Sequence, residues 1–451
     1  MISPVLARPL LLVAPLAFAV LTAACSSSSG GGTAPALTGG KPPVASVTIL
    51  AGNGQAGAVS TTLGTTVQVK ALDAAGAPLA GDTILFIAGT GGAQLTGTTA
   101  VTNAAGIATL GGFTLGRCAG PNVVYAKSKR TANVSAVISA TGTGGAAGYC
   151  IEMLFTSEPD PVLRAAAEAA AVKWGAILNA TSFAPETLNL DPATLPANEQ
   201  KCANISVPLV PTRIVKGLLI LVELVAIPNP SPGLVTLGQA GPCYIRIPGN
   251  LTVMGGLRLN ADYLINNLNA TQRQDVVTHE MGHVLGYGTL WDAPLNLITN
   301  PINTSGPTAQ PLPGFVGSNA RARWTLMGGP ASPASVPVEG CGGGGTVNGH
   351  WRESSFGDEM MTGYISAPGG GRNPLSALTI ASMADMGYSV DMAQAEAFTI
   401  NTRTCPATGS GTFNVGSLVI ADASGHETQV VEILQKPTHV ASHGQLIPIR
   451  R

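Results

Sequence analysis

Apolar and polar positions divide this chain into stretches of different period. Residues 10–20 are an unbroken apolar run, too short for a comfortable membrane-spanning helix, and the run ends in Leu21-Thr22-Ala23-Ala24-Cys25. Residues 26–43 are Ser, Gly and Pro with little apolar content and read as a flexible tether. From Val44 to about Thr143, short runs rich in Val, Thr and Ile recur at 45–50, 65–72, 82–87, 106–110, 122–126 and 133–140. Turn chemistry separates them, as in Ala75-Gly76-Ala77-Pro78 and Asn103-Ala104-Ala105-Gly106. That spacing predicts a sandwich of two antiparallel sheets.

The pattern changes after a second glycine-rich joint at 144–148. Residues 151–156 read as a strand. Asp160-Pro161 opens a helix by N-cap and first-turn preference, and the Ala-rich stretch 162–178 continues it, with Leu163, Ala167, Ala170, Trp174 and Ile177 on one side. A long apolar run at 213–227 stops at Pro228, and 238–247 and 251–259 read as further strands. Next comes a helix with Val276, Val277, Met281, Val284 and Leu285 as its apolar face; Thr271 and Gln274 have capping-box spacing, and Gly286 ends it. Strand, long helix, strands and helix in that order predict a mixed sheet with helices packed on it. Asn373-Pro374 then starts a helix at 375–386, which Gly387 closes. The remainder, 391–451, offers only two candidate strands, at 416–420 and 428–434.

At 451 residues there is room for two or three domains. Only 10% of residues are charged and the net charge is −1, so the basic stripe that nucleic-acid binding needs is missing and that class is set aside. Arg8, the apolar run and the small residues before Cys25 resemble a bacterial lipoprotein signal, which implies cleavage before Cys25 and lipidation of its thiol; the alternative is an ordinary signal peptide cut near Ala24. There are seven cysteines. With Cys25 set apart, Cys118, Cys150, Cys202, Cys243, Cys341 and Cys405 are an even number, compatible with three disulfides in an oxidising compartment. No C-x-x-C pair occurs, so a cysteine zinc site is not expected.

The chemistry concentrates in Val277-Thr278-His279-Glu280-Met281-Gly282-His283-Val284-Leu285-Gly286. At about 3.6 residues per turn, His279 and His283 share one helix face and can bind one zinc ion. Glu280 stands beside them, able to take a proton from a water that the metal activates. The alternative is a buried helix with two hydrogen-bonded histidines. A catalytic zinc site needs a third protein ligand. The place three residues after the glycine is Thr289, a residue that rarely binds zinc. The candidates left are His350, His426, His439 and His443, with Glu223, Asp262 and Asp292 as carboxylate rivals. A bend at Cys341 and the glycines at 342–345 can bring His350 back to the helix.

Two family resemblances sharpen this. Val47-Thr48-Ile49-Leu50-Ala51-Gly52-Asn53-Gly54-Gln55, Asp73-Ala74-Ala75-Gly76-Ala77-Pro78-Leu79-Ala80-Gly81 and Thr102-Asn103-Ala104-Ala105-Gly106-Ile107-Ala108 resemble bacterial immunoglobulin-like domains of the invasin/intimin kind, which implies a spacer or adhesive module. The segment Asn348-Gly349-His350-Trp351-Arg352-Glu353-Ser354-Ser355-Phe356-Gly357-Asp358-Glu359-Met360-Met361, with H-E-M-G-H-V-L-G upstream, resembles the leishmanolysin family of metzincin metallopeptidases. That resemblance implies one catalytic zinc ion on His279, His283 and His350, Glu280 as general base, and Met361 as the methionine of the turn under the metal, with Met360 beside it as the other candidate.

The expected architecture is multidomain: an N-terminal all-β immunoglobulin-like sandwich followed by an α+β metzincin-like zincin catalytic domain. The expected segments are a signal peptide at 1–24, a tether at 25–43, the sandwich at 44–143, the peptidase domain at 149–390 and an extension at 391–451. The expected function is that of an exported zinc endopeptidase, either held at a bacterial membrane through Cys25 or extracellular at the cell surface, acting on protein or peptide. The rival is a non-catalytic surface adhesion protein with a structural zinc site; retention of Glu280 speaks against it. A zinc hydrolase acting on sugars or lipids has no motif support beyond the metal.

Overall fold

A computed structural model describes residues 41–448 except 132, 146–148, 157–159, 179–182, 191–194, 198–199, 209, 229–234, 303–310, 341–344, 367–370, 401–417, 422–426, 435 and 443–444. Cys25, Cys341, Cys405, His426 and His443 therefore lie outside the described residues, as does the signal segment.

The predicted sandwich forms, with one departure from the antiparallel expectation: Gln55–Ala58 pairs parallel with Ser135–Thr143. One sheet pairs Ser46–Ala51, Gln68–Leu72 and Ile107–Thr109. The other runs through Gln55–Ala58, Ser135–Thr143, Gly120–Ser128, Thr83–Ala88 and Thr99–Val101. Side chains alternate strictly in Ser135–Thr143, and Val69, Ile84, Val124 and Ile138 fill the space between the sheets. The turns at 73–77 and 103–107 share one device. The Asp73 carboxylate accepts from the amides of Ala75 and Ala77, and the Asn103 carbonyl accepts from those of Ala105 and Ile107. Strands that the sequence pattern does not reveal, such as Gln55–Ala58 and Gly112–Thr114, are short and built largely of small residues that give no periodic signal.

The sandwich is fastened to the rest of the chain. Cys118 and Cys150 form a disulfide. The buried Glu152 carboxylate accepts from the Gly91 amide at 3.2 Å and from Arg213 Nη2 at 2.7 Å, and Gln94 Nε2 donates to Glu168 at 2.7 Å. Residues Pro43–Arg451 form one unit accordingly.

Behind the sandwich lies the expected mixed sheet. Ile151–Phe155, Leu218–Val225 and Thr252–Asn260 are parallel neighbours, and Val235–Arg246 runs antiparallel beside the last. Alternate residues feed two cores. Ile220 and Val222 meet the helices, whereas Leu219, Leu221, Val253 and Met254 meet Leu188, Leu190 and Ile205. The long helix is Pro161–Ile177, capped by the Asp160 carboxylate on the amides of Val162 and Leu163. Trp174 Nε1 donates to the Thr278 carbonyl at 2.8 Å, which ties this helix to Ala270–Val284.

Three local expectations are corrected. The apolar run 213–227 is two strands, Val210–Val215 and Leu218–Val225, because the first pairs with Glu186–Leu190 and the second enters the main sheet. The capping box of Ala270–Val284 is Asn269 with Gln272, not Thr271 with Gln274; Gln274 is already inside the helix and donates to the Ala166 carbonyl. Ser376, not Asn373, caps Ala377–Met386, since the Asn373 side chain is engaged with the Ser366 amide and the Asp358 carbonyl. Gly286 and Gly387 end their helices at positive φ, as expected. The two candidate tail strands form. Leu418–Ala421 and Glu427–Leu434 continue the main sheet, which holds nine strands among the described residues.

Candidate metal centre

The helix Ala270–Val284 brings His279 and His283 to one face, and a distant loop supplies His350. Their Nε2 atoms lie 3.0–3.1 Å apart in all three pairs, and all three rings are fully buried. The tautomers follow from the other side of each ring. Nδ1 of His279 lies 2.7 Å from the Met360 carbonyl, that of His283 2.9 Å from the Tyr287 carbonyl, and that of His350 3.0 Å from the Thr346 carbonyl. A carbonyl only accepts, so each Nδ1 carries the proton and each Nε2 presents a lone pair. Three lone pairs converging at this distance repel one another unless a cation sits among them. The donor set thus fits a metal ion held by three neutral imidazoles, each oriented by a backbone acceptor.

Glycines let the backbone close around the centre. Gly288 has φ +69°, and a Cβ there would overlap the Gly349 carbonyl. This backbone-to-backbone approach, just past the helix end, delivers the neighbouring His350 to the two helical histidines. Of the bend expected at 341–345, residues 341–344 lie outside the described residues. Two side chains hold the loop. Asn348 exchanges two hydrogen bonds with the backbone of Ile302, and the buried Glu339 carboxylate accepts from the amides of Gly340 and Glu353.

Glu280 is buried next to His279, and its Oε1 lies 3.3 Å from where a Cβ on Gly238 would stand. The strand Val235–Arg246 therefore leaves room for this carboxylate by having glycine there. Met361 packs under the helix, its Cε and Sδ facing Gly282 between the two histidines. Met360 contributes its carbonyl to His279 instead. The two adjacent methionines are thus distinguished by what they offer: a side chain from Met361, a backbone acceptor from Met360.

Glu359 is not singled out by any sequence signal, yet it organises this turn. Fully buried, its carboxylate accepts from the Met361 amide at 2.6 Å, the Ser376 amide and hydroxyl at 3.0 and 2.7 Å, and the Thr379 hydroxyl at 2.6 Å. Burial pushes its pKa up, and these hydrogen bonds pull the other way. Asp275, one turn before His279, likewise holds Arg372 Nε and the Asn373 amide, each at 2.9 Å, with burial raising its pKa. Asp275 follows Gln272-Arg273-Gln274 and Glu359 follows Asp358, so each stands among polar neighbours and no local pattern marks it as buried.

The rival ligands lie elsewhere. Glu223 pairs with Arg258 at 2.7 Å, Asp292 is exposed and near Lys436, and Asp262 sits in the first turn of Ala261–Asn267. The Thr289 hydroxyl donates to the His283 carbonyl at 3.0 Å, which caps the helix end. His439 is in a tail strand. Two of the expected disulfides form, Cys118–Cys150 and Cys202–Cys243.

Comparison with known proteins fits this geometry. Residues 194–408 match the model of a peptidase family described as leishmanolysin, a span that contains His279, Glu280, His283, His350 and Met361. The N-terminal β-rich region is similar to intimin domains. One is a C-terminal 282-residue fragment of intimin in complex with the intimin-binding domain of translocated intimin receptor, 23% identical, with TM-score 0.18, covering 22% of this chain and 33% of that one. Another is the D00-D0 domain of intimin, 19% identical, with TM-score 0.19, covering 24% and 52%. The chain spans about a third to a half of the length of these fragments. Comparison with curated proteins gives no match.

Proposed function

From a chain whose residues 194–408 match the leishmanolysin peptidase family, we propose a zinc endopeptidase that hydrolyses peptide bonds with Glu280 as general base. The observation that carries this reading is the convergence of three Nε2 lone pairs at 3.0–3.1 Å, each fixed by a carbonyl behind its ring, beside a buried glutamate. His279, His283 and His350 would hold the ion. Zinc so held would supply a Lewis acid that polarises the scissile carbonyl and makes water acidic enough to ionise near neutral pH.

The chain's own residues do the rest. Three neutral ligands leave the full positive charge in place. Glu280 accepts the proton that the attacking water gives up and returns it to the leaving amine. Met361 supplies an apolar floor, and Glu359 keeps that floor and the Met360 carbonyl in position. The signal-like segment 1–24 and Cys25 support export and attachment through a lipid, and a polypeptide is the substrate class.

The test sets wild type beside Glu280→Ala, both full chain and zinc-loaded, against an unfolded protein. Wild type should cut, and the variant should keep its zinc while losing about a hundredfold or more in rate. Equal zinc content with no cleavage by either, even after the C-terminal tail is displaced, would favour the structural-zinc reading instead. Mass analysis of the membrane-extracted protein tests Cys25: an unmodified thiol at that position would sink the lipid anchor.

A further inference from the structure

The catalytic candidates are sealed. His279, Glu280, His283 and His350 have no exposed surface, so no polypeptide reaches them in this conformation. The chain's own C-terminal tail pairs with the strand beside them. Without it, Val235–Arg246 would end the sheet with one row of amides and carbonyls open, the arrangement to which an extended peptide adds as a further strand. Glu427–Leu434 occupies that row, with Val235 paired to Val430, Gly238 to Glu432 and Ala240 to Leu434. Gly238 is the residue against which Glu280 lies. The Leu434 side chain reaches the other wall of the centre, its Cδ1 2.7 Å from where a Cβ on Gly349 would stand, next to His350. Lys436 then approaches Asp292 at 3.8 Å, and the Thr438 amide donates to the Cys243 carbonyl. On its far side the tail pairs, through Leu418–Ala421, with Tyr364–Ile365, just beyond Met361. The tail hairpin thus sits between the strand beside Glu280 and the segment that follows the methionine turn.

We propose that Glu427–Leu434 is an autoinhibitory strap, occupying the strand position of an extended substrate peptide and holding the enzyme latent until it is displaced. This rests on the peptidase reading. The geometry favours release over permanent closure. Glu427–Leu434 lies between Val235–Arg246 and Leu418–Ala421, and His439–Ser442 pairs with Tyr244–Arg246, so release withdraws these tail strands together; the Lys436–Asp292 pair joins two largely exposed side chains, and Ile433 remains 39% exposed. Backbone pairing joins the tail to Val235–Arg246, and pairing of that kind is open to a polypeptide of different sequence.

The test uses the full chain with Val235→Cys and Val430→Cys, which are partners in the strand register. Two readouts are taken: hydrolysis of an unfolded protein, and binding of a labelled peptide of the sequence 427–434 by fluorescence anisotropy. The cross-linked form should hydrolyse at least tenfold more slowly than the same protein after reduction, and should not bind the peptide. Separately, Leu434→Asp, which spoils the contact at Gly349, should raise hydrolysis several-fold and tighten peptide binding. Equal hydrolysis by the cross-linked and reduced forms overturns the strap while the peptidase reading stands. Peptide binding that follows the cross-link, with no form hydrolysing, supports the strap as the occupant and overturns the peptidase reading. Peptide binding to neither the reduced form nor Leu434→Asp overturns the strap outright.

Discussion

Among single residues, the centre depends on side chains and carbonyls that never touch the metal. Each ligand histidine is given its tautomer by a carbonyl, and two of those carbonyls, from Tyr287 and Met360, belong to segments that follow the helix and the loop. Glu359 fixes the second of these segments. Glu359→Ala would leave the Met361 amide and the Ser376 and Thr379 donors buried without their acceptor, and should cost roughly 3 kcal/mol or more in urea unfolding. The pH dependence has a definite sign. Burial raises the Glu359 pKa, so its contribution to stability is fully present below the ordinary glutamate range and is lost as pH rises through the raised value. The gap between wild type and Glu359→Ala should therefore be widest at the acid end and narrow with rising pH. A gap that widens would mean that the ionised carboxylate is the form the fold prefers. His279, Glu280 and His283 stand out as candidates by motif spacing, and His350 and Met361 only through the family resemblance. Glu359 and Asp275 do not stand out, since an acid in a sequence does not announce whether it will be buried.

Among elements, the site is assembled from one helix, one strand and two loops that meet through glycine. Gly288 and Gly349 approach so closely that any side chain on the first must move the second. Gly288→Ala should therefore cost about 2 kcal/mol from left-handed backbone strain alone and shift the His350 loop, so zinc affinity should fall at least tenfold while the helix content by circular dichroism stays the same. Unchanged zinc affinity would show that the His350 loop is placed by Asn348 and Glu339 without the glycine contact. The helices are readable because their periodicity and end signals are local: Asp160-Pro161 opens one, and Gly286 and Gly387 close two others. Expectation and structure part where a neighbouring element decides. Gln274 serves the long helix rather than a cap, and the run 213–227 is divided between two sheets.

In the whole molecule, the metal should act as a cross-link between parts distant in sequence. Nothing in the unfolded chain would hold His350 near His279, so an ion bound only by the folded state adds its binding energy to stability. At metal a thousandfold above its dissociation constant the gain is about 4 kcal/mol. Chelation should lower the thermal midpoint by about five degrees, and His350→Ala should be insensitive to the chelator. A chelator effect that survives in His350→Ala would place the bound ion elsewhere. The sandwich shares in this unit through Cys118–Cys150 and the buried Glu152–Arg213 pair.

Helix period, strand alternation and motif spacing are written in neighbouring residues. They suffice for the periodic elements, the two candidate ligands on the helix and the β-sandwich ahead of them, while His350 is named through the family resemblance. Which carbonyls orient the imidazoles, which glycines admit the His350 loop and where the tail goes depend on residues far apart in the chain, and the folded arrangement alone settles them. A β-strand's partner is chosen by an edge left open elsewhere. Glu427–Leu434 pairs with Val235–Arg246, beside Glu280, and no local pattern in either segment names the other. Hydrogen-bonding backbone rather than side-chain identity sets that pairing, which is why a strand with no motif of its own can close the site.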